Sequence, residues 1–156
     1  MENLENAEIA IIGLGGMGSR HIKAAELLGA KIVSLCDVNP ENLQRAAETF
    51  PDAQQFASVE KFIAAGAHLA DLVCLVTNTP FRADILRQLA DAKAKRVLTE
   101  KPFTTNVRDA HEISELYAAA DIPLTVNTFR HFCASHLKVR DLIRTEQFGE
   151  PRNITV

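Results

Sequence analysis

Gly13-Leu14-Gly15-Gly16-Met17-Gly18 follows directly on the apolar run Ile9-Ala10-Ile11-Ile12, and a carboxylate, Asp37, closes the next apolar run 19 residues after Gly18. Each part has a physical job. Gly13 permits a tight turn off a strand. Gly15 lacks a Cβ, so a pyrophosphate can approach the backbone. Gly18 lets the following helix lie close to the sheet. The N-terminus of that helix offers free N–H groups and partial positive charge to phosphates. Asp37 would accept hydrogen bonds from the hydroxyls of the adenine-side ribose. The chemistry this implies is dinucleotide binding. A glycine turn that only packs a helix on a strand leaves Asp37, at the tip of Lys31-Ile32-Val33-Ser34-Leu35-Cys36, without an explanation.

Two more groups follow apolar runs: Thr77-Asn78-Thr79-Pro80 and Glu100-Lys101-Pro102. They would lie along the nicotinamide half of a dinucleotide. An ammonium fixed there can hydrogen-bond a substrate hydroxyl, lower its effective pKa, or serve in a proton relay during hydride transfer. Glu100 could pair with Lys101 or hold a ribose hydroxyl. Pro102 sets the loop direction and supplies no N–H. A surface Glu-Lys pair followed by a proline loop is the competing reading, and the residues alone leave both open.

The elements that would position these groups alternate almost without interruption. Strands are expected at Glu8 to Ile12, Lys31 to Cys36, Gln54 to Phe56, Asp71 to Val76, Arg96 to Thr99 and Pro123 to Val126. Helices are expected at about Gly16 to Leu28, Asn39-Pro40 to Phe50, Ser58 to Gly66, Pro80 to Asp91 and Asn106 to Ala120, with Ile22, Ala25 and Leu28 on the apolar face of the first. Such alternation implies an α/β fold: a doubly wound parallel sheet of the Rossmann type, strand order 3-2-1-4-5-6, with helices on both faces. Ligands then bind beyond the carboxyl ends of the strands, where all three groups fall. A last helix is expected from His136 to about Glu146, and Arg152-Asn153-Ile154-Thr155-Val156 reads as the start of another strand.

Composition bounds the rest. A chain of 156 residues, 47% hydrophobic and 24% charged, suits one globular domain. A net charge of -3 gives no reason to expect nucleic acid or an anionic membrane as a partner. The apolar runs are strand-length, too short to span a bilayer. The first six residues are acidic and polar, unlike a secretory signal. Cys36, Cys74 and Cys133 are odd in number and widely spaced, giving neither a disulfide framework nor a metal pattern. The five histidines show no metal spacing either. The expectation is a cytoplasmic protein without a metal.

These residues resemble the N-terminal domain of the Gfo/Idh/MocA family, the glucose-fructose oxidoreductases, inositol dehydrogenases and their relatives. The likeness is carried by Ile12 to Gly18, Cys36-Asp37, Asp71-Leu72-Val73 leading to Thr79-Pro80, and Thr99-Glu100-Lys101-Pro102-Phe103. It extends through Leu124-Thr125-Val126-Asn127, Phe129-Arg130-His131-Phe132 and the segment Val139 to Gly149. It implies that Gly13, Gly15, Gly16, Met17 and Gly18 cradle the pyrophosphate and that Asp37 holds the adenosine ribose. Thr77, Asn78 and Pro80 would line the cleft. Glu100 and Lys101 would reach the nicotinamide ribose and the substrate, with Lys101 catalytic, and Asn127 and Arg130 would contact the nicotinamide end. The implied reaction is hydride exchange between NAD(P) and a sugar or cyclitol hydroxyl or ketone. Asp37 favours NAD, with NADP as the alternative. The bond before Pro102 is expected to be cis.

There are two departures. Where relatives often place a histidine shortly after the Thr-Pro, this chain has Phe81-Arg82-Ala83-Asp84. Relatives also run to about twice this length, with a second α/β domain. The division expected here is therefore a nucleotide domain over 1–130, then a linker helix and strand stub over 131–156 leading to an absent substrate domain. The chain would be a piece of a longer protein or a shortened gene product, able to bind dinucleotide and weak in catalysis, with its tail disordered, folded back or used in a homodimer contact. Other readings are a non-catalytic dinucleotide sensor, a subunit completed by a partner chain, and a methyltransferase with an adenosyl cofactor.

Overall fold

The computed structural model of the chain describes residues 5–153. Six parallel strands form one sheet: β1 (Glu8–Ile12), β2 (Lys31–Cys36), β3 (Gln54–Phe56), β4 (Leu72–Leu75), β5 (Val97–Glu100) and β6 (Leu124–Asn127). Their order is β3-β2-β1-β4-β5-β6, as the alternation predicts. Helices connect them: α1 (Gly16–Leu27), α2 (Pro40–Thr49), α3 (Val59–Ala64), α4 (Thr79–Asp91), α5 (Val107–Ala119) and, after β6, α6 (Ala134–Arg144).

The two-residue period of the strands sorts the core into two layers. Ile9 and Ile11 of β1 face Ala25 of α1 and Ala46 of α2. Ala10 and Ile12 face the other way, into a cluster with Phe62 of α3, Leu86 and Leu89 of α4, and Ile113 and Tyr117 of α5. Val73, Cys74 and Leu75 are all buried, because β4 is covered on both faces. Ile11, Leu35, Leu75 and Leu86 are fully buried, each worth about 1.5–3 kcal/mol.

Local signals set the helix starts. Asn39 accepts from the Glu41 N–H with Pro40 at the first position, Ser58 accepts from Lys61 N–H, and Asn106 accepts from Asp109 N–H. Leu28, expected on the apolar face of α1, is instead its exposed C-cap residue, because the chain already turns toward Gly29. Two 3-10 turns, Ala67–Leu69 and Phe129–Phe132, were not expected from the periodicity, and the last helix starts two residues earlier than the sequence suggests. Of the expected final strand, Arg152 and Asn153 belong to no element, and Ile154, Thr155 and Val156 lie outside the described residues.

Candidate functional site

The glycine turn is built by close approach. Gly13 sits at φ +97°, a conformation that L side chains rarely adopt, and a Cβ there would lie 2.8 Å from the Val76 carbonyl carbon. A Cβ on Gly18 would lie 2.1 Å from the Gly13 oxygen, so α1 touches the turn at this point. Gly15 and Gly16 are different: a Cβ at either meets nothing within 4 Å. Their open face lies at the start of α1, whose N-cap residue Gly15 provides no side-chain hydrogen bond. The first N–H groups of the helix are left to a ligand. A pyrophosphate fits this cradle.

Asp37, just past β2, reaches back across the turn. Its carboxylate accepts from Leu14 N–H at 2.6 Å, Asn39 N–H at 2.8 Å and Asn42 Nδ2 at 3.1 Å. A carboxylate has roughly four acceptor positions, so Oδ1 keeps one for a ribose hydroxyl. Asn42 in turn accepts from Arg45 Nη2 at 2.6 Å. The hollow beside Asp37, of about 280 Å³, is walled by Val38, Val59, Phe81 and Ile85, apolar surface suited to an adenine ring. Cys36 is buried here, and burial, with the nearby charges of Asp37 and Glu60, pushes its thiol up to about 12. It stays neutral.

Across the turn lies a second hollow of about 270 Å³. Gly15, Gly16 and Met17 form one wall, Glu100 and Lys101 the other, with Thr77 and Asn78 between. Pro80 occupies the first turn of α4, and the Lys101-Pro102 bond is cis, as expected. Lys101 itself is exposed. A larger hollow of about 400 Å³, lined by Glu8, Lys31, Asp52 and Gly66 among others, lies at the opposite end of the strands. Its glycine, Gly66, leads into a single 3-10 turn rather than the start of an α-helix, and the chemistry falls on the side of the two smaller hollows.

Glu100 behaves differently from the sequence reading. The residue is buried, 4% exposed, and its carboxylate does not pair with the Lys101 ammonium. Oε1 accepts from His21 Nε2 at 2.8 Å and Asn127 Nδ2 at 2.5 Å, and Oε2 from the Lys101 backbone N–H at 3.2 Å. Burial alone would raise its pKa; the hydrogen bonds from His21 and Asn127, with the His21 charge and the Lys101 N–H, more than reverse that and hold it below the ordinary value. Asn127 is thus spent on Glu100. Arg130 stands in the exposed 3-10 turn after β6 and lines neither hollow.

Arg82 fills the space beneath the cleft. Its guanidinium is buried and donates to Glu100 O at 2.6 Å, to Thr77 O at 2.6 Å and to Pro102 O. It therefore ties the loop after β4 to the loop after β5. Both His21 and Arg82 escaped the sequence reading as site residues. The signal was present: His21 interrupts the stripe Gly18, Ile22, Ala25, and Arg82 interrupts Leu86 and Leu89. A polar residue on a buried helical stripe needs a partner.

Among the described residues, no group of three His, Cys, Asp or Glu side chains could hold a metal ion, and no helix is long and apolar enough to cross a membrane.

Comparison with known proteins agrees with this geometry. Residues 7–128 match the model of an oxidoreductase family with an NAD-binding Rossmann fold. The chain is 30% identical over 151 residues to an inositol 2-dehydrogenase of Pseudarthrobacter chlorophenolicus, covering 94% of this chain and 43% of that protein. It is 28% identical over 119 residues to a D-apiose dehydrogenase of Paraburkholderia graminis, covering 76% of this chain and 31% of the relative. Among solved structures, the WlbA dehydrogenase of Bordetella pertussis, in complex with NADH and UDP-GlcNAcA, superposes with a TM-score of 0.86 at 28% identity, over 93% of this chain and 41% of that one. The chain thus spans less than half the length of the relatives it matches.

Proposed function

The chain belongs to the Gfo/Idh/MocA oxidoreductase family, and from that premise we propose that it is the dinucleotide-binding half of a dehydrogenase acting on a sugar or cyclitol. The observation that carries the reading is convergence: the open glycines, Thr77-Asn78 and Lys101 meet around one cleft, while Asp37 keeps a free acceptor at the other end of the turn. NAD, when bound, accepts or returns a hydride at the carbon bearing the substrate hydroxyl.

The protein's own residues do the remaining work. The backbone of Gly15, Gly16 and Met17 and the start of α1 neutralise the pyrophosphate. Asp37 holds the adenosine ribose, and its charge repels a 2′-phosphate, which favours NAD over NADP. Arg45 is the residue through which NADP would be tolerated, since it is one side chain removed from Asp37. Lys101, exposed at the cleft wall, hydrogen-bonds the substrate oxygen through Nζ: as the neutral amine it takes the alcohol's proton as the hydride leaves, and as the ammonium it returns a proton when the ketone is reduced. Glu100 does not reach the substrate in this reading; it fixes the backbone of Lys101.

Residues 1–130 form the nucleotide unit, and 131–156 begin the connection to a substrate domain. Support comes from α6, which has no buried residue, and from exposed Val139, Ile143 and Phe148. A second copy could cover the same apolar surface, and light scattering separates the two uses: a dimer doubles the mass. A reducing, cytoplasmic setting suits Cys36, Cys74 and Cys133, which are free thiols.

Fluorescence titration with NADH, beside a sugar and cyclitol dehydrogenase assay, tests the function. Saturable NADH binding with negligible turnover is expected, because half a site can bind cofactor but neither orients the alcohol nor excludes water. Absence of NADH binding would refute the reading, and strong turnover by this chain alone would refute the need for a second domain.

A further inference from the structure

The hydrogen bond between His21 and Glu100 joins the elements that form the two walls of the cleft. His21 stands on α1, one turn beyond the glycines that form the first wall, and Glu100 ends β5 on the second wall. Among the described residues, this is the side-chain hydrogen bond that joins α1 to the β5–β6 half of the sheet. A carboxylate only accepts, and Glu100 is held ionised, so His21 Nε2 carries the proton between them. On its other oxygen the same carboxylate accepts the backbone N–H of Lys101. A chain of contacts therefore runs from the phosphate-binding helix, through His21 and Glu100, to the backbone of Lys101. His21 is nearly buried, with its side chain 11% exposed. β1, under the glycine turn, and β5, which leads into Lys101, are not neighbours, since β4 lies between them. The sheet links the two walls only through β4, and the His21 bond joins them directly.

We propose that His21 is a positioning residue: it acts through Glu100 to hold Lys101 at the nicotinamide end and couples occupation of the phosphate cradle to the order of that loop. The proposal rests on the dinucleotide reading above, and its test separates the two. Dissociation constants for NADH and for ADP are measured by calorimetry on the full chain, on His21→Leu and on His21→Gln. NADH spans both walls, whereas ADP occupies only the glycine turn and the Asp37 hollow. His21→Leu is expected to weaken NADH about tenfold, the loss of one hydrogen bond to a charged group, and to leave ADP within about twofold. His21→Gln keeps an N–H donor and should recover most of the loss. Equal weakening of NADH and ADP, or unchanged NADH binding, would overturn the proposal and leave the dinucleotide reading intact. A wild-type chain that binds neither ligand would overturn both. Amide exchange in the wild type covers the case in which His21→Leu does not fold: ADP, which does not reach Lys101, should slow exchange at the Lys101 N–H, and unchanged exchange there contradicts the coupling.

Discussion

Gly15 and Gly18 are both motif glycines, yet the structure gives them opposite reasons to be glycine, and alanine at each position separates the reasons. At Gly18 a Cβ would stand 2.1 Å from the Gly13 oxygen, a backbone atom that cannot swing aside. The start of α1 must then retreat from the turn by roughly 1 Å, at a cost of about 2–3 kcal/mol for overpacking. Alanine in a helix returns up to about 1 kcal/mol. The net loss of about 1–2 kcal/mol should lower Tm by roughly 2–8 °C in a domain of this size. NADH binding should fall as well, because the displaced helix start is the phosphate cradle. At Gly15 the same methyl meets nothing within 4 Å and φ is -66°. Alanine there is accommodated, and stability should stay within about 0.5 kcal/mol, the weaker N-cap offsetting the stiffer unfolded chain. The methyl occupies the pyrophosphate's approach, so NADH affinity should drop at least about tenfold. Thermal unfolding and NADH fluorescence titration on both variants suffice. Wild-type NADH affinity in Gly15→Ala, or an undiminished Tm in Gly18→Ala, would refute the reasoning.

Three further outcomes follow from the same geometry. Asp37→Ala should weaken NADH about 10- to 100-fold, the loss of a hydrogen bond to a charged group, and NADPH less, because the repulsion of a 2′-phosphate goes too; equal responses in parallel titrations would remove the ribose role. Arg82→Met strands the carbonyls of Thr77, Glu100 and Pro102 and should cost at least about 2 kcal/mol, seen as a Tm lower by roughly 4 °C or more; an unchanged Tm would mean those carbonyls find other donors. Glu100 has a folded pKa below its unfolded value, so its contribution is present above about pH 4.3 and disappears as pH falls through the folded value. Urea unfolding between about pH 5 and 3 should therefore lose stability less steeply in Glu100→Gln than in wild type, and identical slopes would show that the carboxylate is not held ionised.

The frame of the fold was readable because its signals are local and repeat. Alternating apolar strands, the Asn39-Pro40 and Asn106 caps and the turn at Gly13 each act within a few residues, and the parallel order follows from the alternation. The glycine turn and Asp37 were readable because a single strand-helix-strand unit, β1-α1-β2, brings them together. Glu100 was readable as a site residue, but its partner was not. Adjacency suggested Lys101, whereas the carboxylate turns inward to His21, 79 residues earlier in the chain, and to Asn127, 27 residues later. Arg82 was hidden for the same reason: its partners are backbone carbonyls of two loops, which carry no side-chain signature. The 3-10 turns were missed because three or four residues are too few for a period to register.

The central claim is that a dinucleotide lies across the carboxyl ends of the strands, from Asp37 to Lys101. Titrating the isotope-labelled chain with NAD while following backbone amide resonances tests it most directly. Saturating shifts centred on Gly13–Gly18, on Val38 and Asn39 beside Asp37, on Val59 and Phe81 of the adjoining hollow, on Thr77-Asn78 and on Glu100-Lys101 are predicted. No saturating shifts, or shifts centred on Glu8, Lys31 and Gly66 at the opposite end of the sheet, would contradict it.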